Sequence, residues 1–204
     1  MEITASMVKG LRETTGAGIM DCKKALKETE GDLNNAVDFL RRKGLAAAAK
    51  KTGRVSTEGI IASYIHPGGK IGVIVEINCE TDFVAKNDDF QEFAKNITMH
   101  VAAANPLYLT KEDVPKAVEE KEREIYRGQA TDSGKPEKVI DRIVDGKIGK
   151  YYSEVCLLEQ PYVKDTDLTI RELVDTIIAK IGENISIRRF TRYLLSENID
   201  NEKP

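Results

Sequence analysis

The chain of 204 residues is short of the groups that enzyme centres and covalent frameworks need. It has two histidines and three cysteines. Cys22, Cys79 and Cys156 lie far apart, are odd in number and form no C-x-x-C pair. That spacing speaks against a disulfide framework or a zinc site and for a reducing compartment. No stretch approaches the length of a membrane span, and Met1-Glu2-Ile3-Thr4 lacks the basic and apolar blocks of a secretory signal. The expected location is therefore the cytosol. A net charge of −3 gives no strong general attraction to nucleic acid or anionic membrane. Gly-rich phosphate loops, G-x-S-x-G elbows and H-E-x-x-H pairs are missing. Gly16-Ala17-Gly18 is too short for a phosphate cradle and has no strand before it, so it reads as a turn between helices. His66 falls in a turn signal and His100 within a helical stripe, and both read as structural groups. Neither an enzyme nor a cofactor is expected.

What is present is a core-forming composition, with 41% hydrophobic and 32% charged residues, long enough for one medium domain and a small one. The expected class is α+β. Residues 1–52 read as a three-helix domain ending in a basic linker. Thr4 suits the N-cap of a first helix with Met7, Val8 and Leu11 on one face. Ile19, Cys22, Ala25 and Leu26 repeat the 3.6-residue period. Asp32 suits the cap of a third helix, with Leu33, Ala36, Val37 and Leu40 inside and Gly44 as its left-handed end. The pattern resembles the ubiquitin-associated fold, and so small a core is marginal alone. Between 41 and 54, Arg41, Arg42, Lys43, Lys50, Lys51 and Arg54 are interrupted by no acid. This run reads as a solvated, partly helical connector, or as a contact for an acidic partner or an RNA backbone.

Residues 53–204 read as a second domain. The run 60–66, the turn signal Pro67-Gly68-Gly69-Lys70, and the strict alternation of Ile71, Val73, Val75, Ile77 and Cys79 predict an antiparallel hairpin. Phe90, Phe93, Ala94, Ile97 and Val101 form one helical stripe, with Asp88 or Asp89 as its cap and Asn105-Pro106 as its end. Residues from 111 to about 158 predict a helical hairpin with a very polar first arm, of the kind that projects into solvent. A further amphipathic helix carries Ile170 to Ile181. The strand that follows, from Ile185 to Leu194, loses its alternation at Arg188-Arg189, which predicts a bulge or contacts on both faces. The tail after Ser196 is polar and expected to fray.

Chemistry resides in surface apolar groups more than in titratable ones. Glu76, Glu80, Asp82, Asp88 and Asp89 crowd the region of a hard-metal site, yet nothing in their spacing fixes a geometry, and carboxylates also suit a helix N-terminus. Leu11, Ile19 and Met20 flank the glycine turn, either as the small core or as an exposed patch. Phe83 stands among polar neighbours where a strand gives way to a helix, either packed inward or waiting for a partner. Burial in a partner would stabilise such a complex by about 1.5–3 kcal/mol. Three functions are compatible with these features: a regulatory binding protein, a small recognition module for RNA or a ubiquitin-like fold, and a metal-assisted hydrolase built on the acids.

Two long motifs decide among them. Thr15-Gly16-Ala17-Gly18-Ile19-Met20-Asp21-Cys22-Lys23-Lys24-Ala25-Leu26 and Thr81-Asp82-Phe83-Val84-Ala85-Lys86-Asn87 resemble the two signatures of the elongation factor Ts family. Ser133-Gly134-Lys135-Pro136 and Ile181-Gly182-Glu183-Asn184-Ile185 look like further family landmarks, in the expected order. The resemblance implies a guanine-nucleotide exchange factor that binds the GDP form of elongation factor Tu. It implies GTPase-domain contacts at Leu11, Ile19 and Met20, where family members often have Met at the position of Ile19. It also implies that Thr81, Asp82, Phe83 and Val84 dislodge the bound magnesium, whose loss leaves the phosphate charge poorly compensated. The chain resembles the short form of the family, with a single core subdomain. In such forms two copies pair, which implies a homodimer through the strand region from Ile185 to Leu194.

Overall fold

Thr4 opens the fold of a computed structural model that describes residues 3–197. The expectations for Met1 and Glu2, and for the tail from residue 198 on, lie outside the described residues. The Thr4 hydroxyl oxygen accepts the Met7 N–H at 3.2 Å and caps α1 (Ala5–Thr15). Gly16 closes that helix at φ 66°, and its N–H returns to the Arg12 carbonyl. After the turn comes α2 (Ile19–Glu28), and Asp32 caps α3 (Leu33–Ala49) by accepting the Asn35 N–H at 2.9 Å. Leu11, Cys22, Ala25, Leu26, Ala36 and Leu40 form the small core of these helices, with Met7, Val8 and Val37 packed on it.

The third helix outruns its expected end. Gly44 does not terminate α3, which continues through Ala46 to Ala49, a run of the best helix former. Glycine at 44 answers a packing need instead. A Cβ there would lie 3.3 Å from the Ala179 Cβ on α8 (Ile170–Ile181). Half of the basic run is compensated within the protein, since Arg41 pairs with Glu172, Lys43 with Asp21, and Arg54 with Glu80.

The hairpin forms as its alternation dictates, from β1 (Glu58–Ile65) and β2 (Ile71–Cys79), closed by His66 N–H donating to the Ile71 carbonyl at 2.9 Å. Val73, Val75 and Ile77 are buried while Ile74 is exposed. Asn78 is buried out of pattern because its amide donates to the Glu58 carbonyl at 3.2 Å. The sheet is completed by β5 (Ser186–Leu194), in the order β1-β2-β5. Arg188 and Arg189 interrupt the alternation of β5 by reaching the same carboxylate, Glu76 on β2, at 3.6 and 2.6 Å.

One helical turn, α4 (Asp82–Ala85), precedes α5 (Asp88–Ala104), in which Phe90, Phe93, Ala94, Ile97 and Val101 are all buried. The cap of α5 is Asn87 and neither expected aspartate. Its Oδ1 accepts the Asp89 N–H at 2.8 Å, which leaves both acids in the first turn, where the helix dipole favours them. The helical hairpin is α6 (Lys116–Asp132) and α7 (Glu137–Val155), joined around Ala130, Ile140, Val144 and Ile148. Arg123 ties the arms by donating to Glu119 and Asp145, each at 2.8 Å. A two-stranded antiparallel ribbon of β3 (Pro161–Tyr162) and β4 (Asp165–Thr169), which the sequence did not announce, leads into α8. The class is α+β. Packing groups the described residues into two compact units, one of residues 3–60, 77–93 and 172–186 and the other of 61–76, 94–171 and 187–197. Among the described residues no helix is long and apolar enough to cross a membrane.

Candidate functional site

The motif from Thr81 to Asn87 lies entirely in the first unit, at the end of β2. Thr81 sits in extended conformation, and its hydroxyl oxygen accepts the Val84 N–H at 3.4 Å as the N-cap of α4. The same hydroxyl donates to Glu183 Oε1 at 2.7 Å, while Glu183 Oε2 accepts the N–H groups of Glu80 and Thr81 at 3.1 and 3.0 Å. The far end of α4 is held by Gln91, whose Nε2 donates to the Ala85 carbonyl at 2.6 Å. Cys79 adds a bond from its thiol to the Thr81 carbonyl at 3.1 Å. Burial first, and then the Glu183 charge, pushes that thiol up to about 11, so it stays a neutral donor.

The loop is hydrogen-bonded at both ends and presents a bare ring. Phe83 is 81% exposed although it is the largest apolar group of the segment. Asp82 beside it bonds to Lys86 Nζ at 2.8 Å. That hydrogen bond and the ammonium charge hold the Asp82 carboxyl below its ordinary range. Val84 is half-buried and Ala85 buried, so the single turn is anchored on one side and open on the other.

The second patch is the turn between α1 and α2, also in the first unit. Met20 is 76% and Ile19 56% exposed. Leu11 departs from its expectation as a surface contact, for it is 1% exposed and lies at the centre of the three-helix core. Lys180 of α8 serves both parts of the unit. Its stem lies beside Gly16, where a Cβ would be 3.7 Å from Cε, and its Nζ pairs with Asp89 at 2.6 Å. Sequence reasoning assigned no role to Glu183, Asn184 or Lys180. The stretch Ile181-Gly182-Glu183-Asn184-Ile185 was the available signal.

Titratable groups elsewhere are built into the fold. His100 is fully buried, with Nε2 against Gln160 Oε1 at 2.9 Å and Nδ1 accepting the Val163 N–H at 3.3 Å. Four of the five clustered acids meet basic or backbone partners: Glu76 meets Arg188 and Arg189, Glu80 meets Arg54 and the Asn184 N–H, Asp82 meets Lys86, and Asp89 meets Lys180. Among the described residues no group of three or more His, Cys, Asp or Glu is arranged to hold a metal ion.

A braced loop with a bare aromatic and a second exposed apolar turn lie in the same unit. The comparisons give the chain a family. The family model described as elongation factor Ts matches residues 40–177. Elongation factor Ts of Geobacter sulfurreducens is 58% identical over 203 residues, covering 100% of this chain and 94% of that protein. The protein of the same name from Alkaliphilus oremlandii is 60% identical with the same coverage, and that from Carboxydothermus hydrogenoformans is 59% identical over 97% of this chain and 91% of its own length. The chain belongs to the elongation factor Ts family.

Proposed function

We propose that this translation elongation factor is a guanine-nucleotide exchange factor, acting in the cytoplasm by contact with the GDP form of elongation factor Tu and making or breaking no covalent bond. Residues 1–52 serve as a docking domain and 53–204 as the exchange-promoting core. Ile19 and Met20 supply the apolar contact with the GTPase domain, and Leu11 holds their helices together from beneath. Thr81, Asp82, Phe83 and Val84 intrude beside the nucleotide, where the ring separates partner side chains and magnesium is displaced. The ionised Asp82 enters a polar network on the partner, and the phosphates left without their cation release GDP.

The observation that carries this reading is the exposure of Phe83 on a loop held by hydrogen bonds at both ends. An exposed ring of that size has apolar area still to bury, worth about 1.5–3 kcal/mol on insertion. Release of a fluorescent GDP analogue from purified elongation factor Tu tests it. Catalytic amounts of this protein accelerate release, and Phe83→Ala abolishes most of the acceleration while its circular dichroism stays unchanged. Wild-type rates from that variant would defeat the wedge mechanism.

We further propose a homodimer through the sheet of the second unit, on the C-terminal strand and the face beside it. Ile61 and Ile65 on β1, Ile74 on β2 and Tyr193 on β5 are exposed. Ile65 lies over Gly72, where a Cβ would be 3.1 Å from its Cδ1, which places Ile61, Ile65 and Ile74 on one face. An apolar sheet face beside an open edge strand suits self-complementary pairing.

A further inference from the structure

A ring as exposed as Phe83 cannot owe its direction to packing, so its direction must come from the backbone beneath it. That backbone is a single turn of helix, which contributes too few internal hydrogen bonds to hold itself. Its start is fixed from 102 residues away in the chain by one carboxylate that fills both its oxygens with three donors. Oε2 takes the consecutive N–H groups of Glu80 and Thr81, and Oε1 takes the Thr81 hydroxyl. The last bond is directional in two senses. By accepting the Thr81 proton, Glu183 turns the lone pairs of that hydroxyl toward the Val84 N–H, so the cap of α4 depends on the carboxylate behind it. The two loops also exchange acids. Glu80 Oε1 accepts the Asn184 N–H at 2.6 Å, and Asn184 Nδ2 donates to the Arg54 carbonyl at 2.8 Å, which fixes the segment that carries Glu183. Gly182 makes the approach possible by turning at φ 96° directly after α8.

We propose that Glu183 is a positioning residue for nucleotide exchange, the clamp that aims the Phe83 ring by holding Glu80 N–H, Thr81 N–H and the Thr81 hydroxyl on one carboxylate. This rests on the reading of Phe83 as the wedge. Only a group that accepts at both oxygens serves. A carboxamide must present its NH2 either to two N–H donors or to the Thr81 hydroxyl, and the second arrangement reverses the bond that orients the cap.

The chain contains no tryptophan, so Phe83→Trp places a single indole at the tip of the loop. Time-resolved anisotropy of that indole in the free protein reads the motion of the side chain without reference to exchange. Glu183→Gln and Thr81→Val, each confirmed as folded by circular dichroism, enlarge the fast depolarisation, and Thr81→Ser, which keeps the hydroxyl, restores the slow decay. With Phe83 in place, Glu183→Gln lowers GDP release at saturating exchange factor by about tenfold while the half-saturating concentration stays near wild type. Should Glu183→Gln compromise folding, Thr81→Val alone carries the test, because it removes one hydroxyl and leaves the carboxylate. Unchanged depolarisation in the folded variants overturns the clamp, as does a loss that appears only in half-saturation. Enlarged depolarisation with undiminished release upholds the clamp and defeats the wedge reading on which it rests.

Discussion

At the scale of single residues, neighbours in sequence divide between fold and function according to where their side chains point. Leu11, Ile19 and Met20 all flank one glycine turn, and the residues left open a small core or an exposed patch while the family resemblance implied contacts. Leu11 is the one that the fold places in the core. It lies one turn before the end of α1, on the stripe that faces Cys22 and Leu26, whereas Ile19 and Met20 open α2. Helical phase does not settle the difference, since Ile19 shares the period of Cys22 and Leu26; as the first residue of α2 it is exposed where they are buried. Leu11→Ala should lose about 2–5 kcal/mol of stability in urea unfolding. Met20→Ala should leave the unfolding midpoint in place and weaken partner binding by about 1–3 kcal/mol. If titration calorimetry gives the two variants equal affinities, once each is corrected for its folded fraction, Met20 is not a contact. Phe83 was only half legible: a large ring beside Asp82 and close to Lys86 and Asn87 stood out, but with Val84 and Ala85 next to it the sequence left open whether it packs inward or faces out. Its clamp was not legible, since a carboxylate that recognises backbone N–H groups leaves no pattern at the site it serves.

At the scale of elements, length decided what could be read. The long periodic segments formed α1 to α3, α5 to α8 and the hairpin of β1 and β2 where their periods placed them. The two-residue β3 and the single turn of α4 span only about one repeat each, so no periodicity could announce them. Gly44 misled as a helix end because sequence does not reveal that Ala179 will press against it. Close approach also governs Gly59, where a Cβ would fall 2.1 Å from the Ile77 carbonyl oxygen at φ 143°. Gly59→Ala should therefore destabilise the hairpin by more than about 2 kcal/mol, and a thermal melt within a degree of wild type would contradict the β1–β2 spacing. The ribbon of β3 and β4 hangs on His100, which accepts the Val163 N–H at Nδ1 and so sits as a neutral ring. Burial depresses its pKa below the ordinary 6.5, an effect that the Gln160 bond only partly opposes. The unfolded chain thus takes up the proton first, and stability is complete above about pH 6.5 and falls below it by at most about 1.4 kcal/mol per pH unit. Urea midpoints measured from pH 7.5 to 5.5 should show that decline in the wild type and a flatter profile in His100→Gln.

At the scale of the whole molecule, association should separate into anchoring and intrusion. A thousandfold weakening of nucleotide binding corresponds to about 4 kcal/mol, more than the 1.5–3 kcal/mol or so available from burying one phenyl ring. On the proposed reading the ring must then be delivered by contacts that do not themselves touch the nucleotide, and the proposed pairing of chains would add to that surface. Ile74→Asp should shift sedimentation toward the monomer if that face pairs, and a stable wild-type monomer exchanging GDP at full rate would remove the dimer. Anchor and wedge have different kinetic signatures. If Met20 is the proposed anchor, it touches the partner before and after the nucleotide moves, so its loss should raise the half-saturating concentration alone. If Phe83 is the proposed wedge, it is engaged fully only as the cation leaves, so its loss should lower the rate at saturation. Two such sites, each with its own contacts, give free-energy effects that add within about 0.5 kcal/mol in the double variant. Phe83→Ala that shifts only half-saturation would make the ring a second anchor, and the displacement of magnesium would then have to come from Asp82 and the backbone of α4.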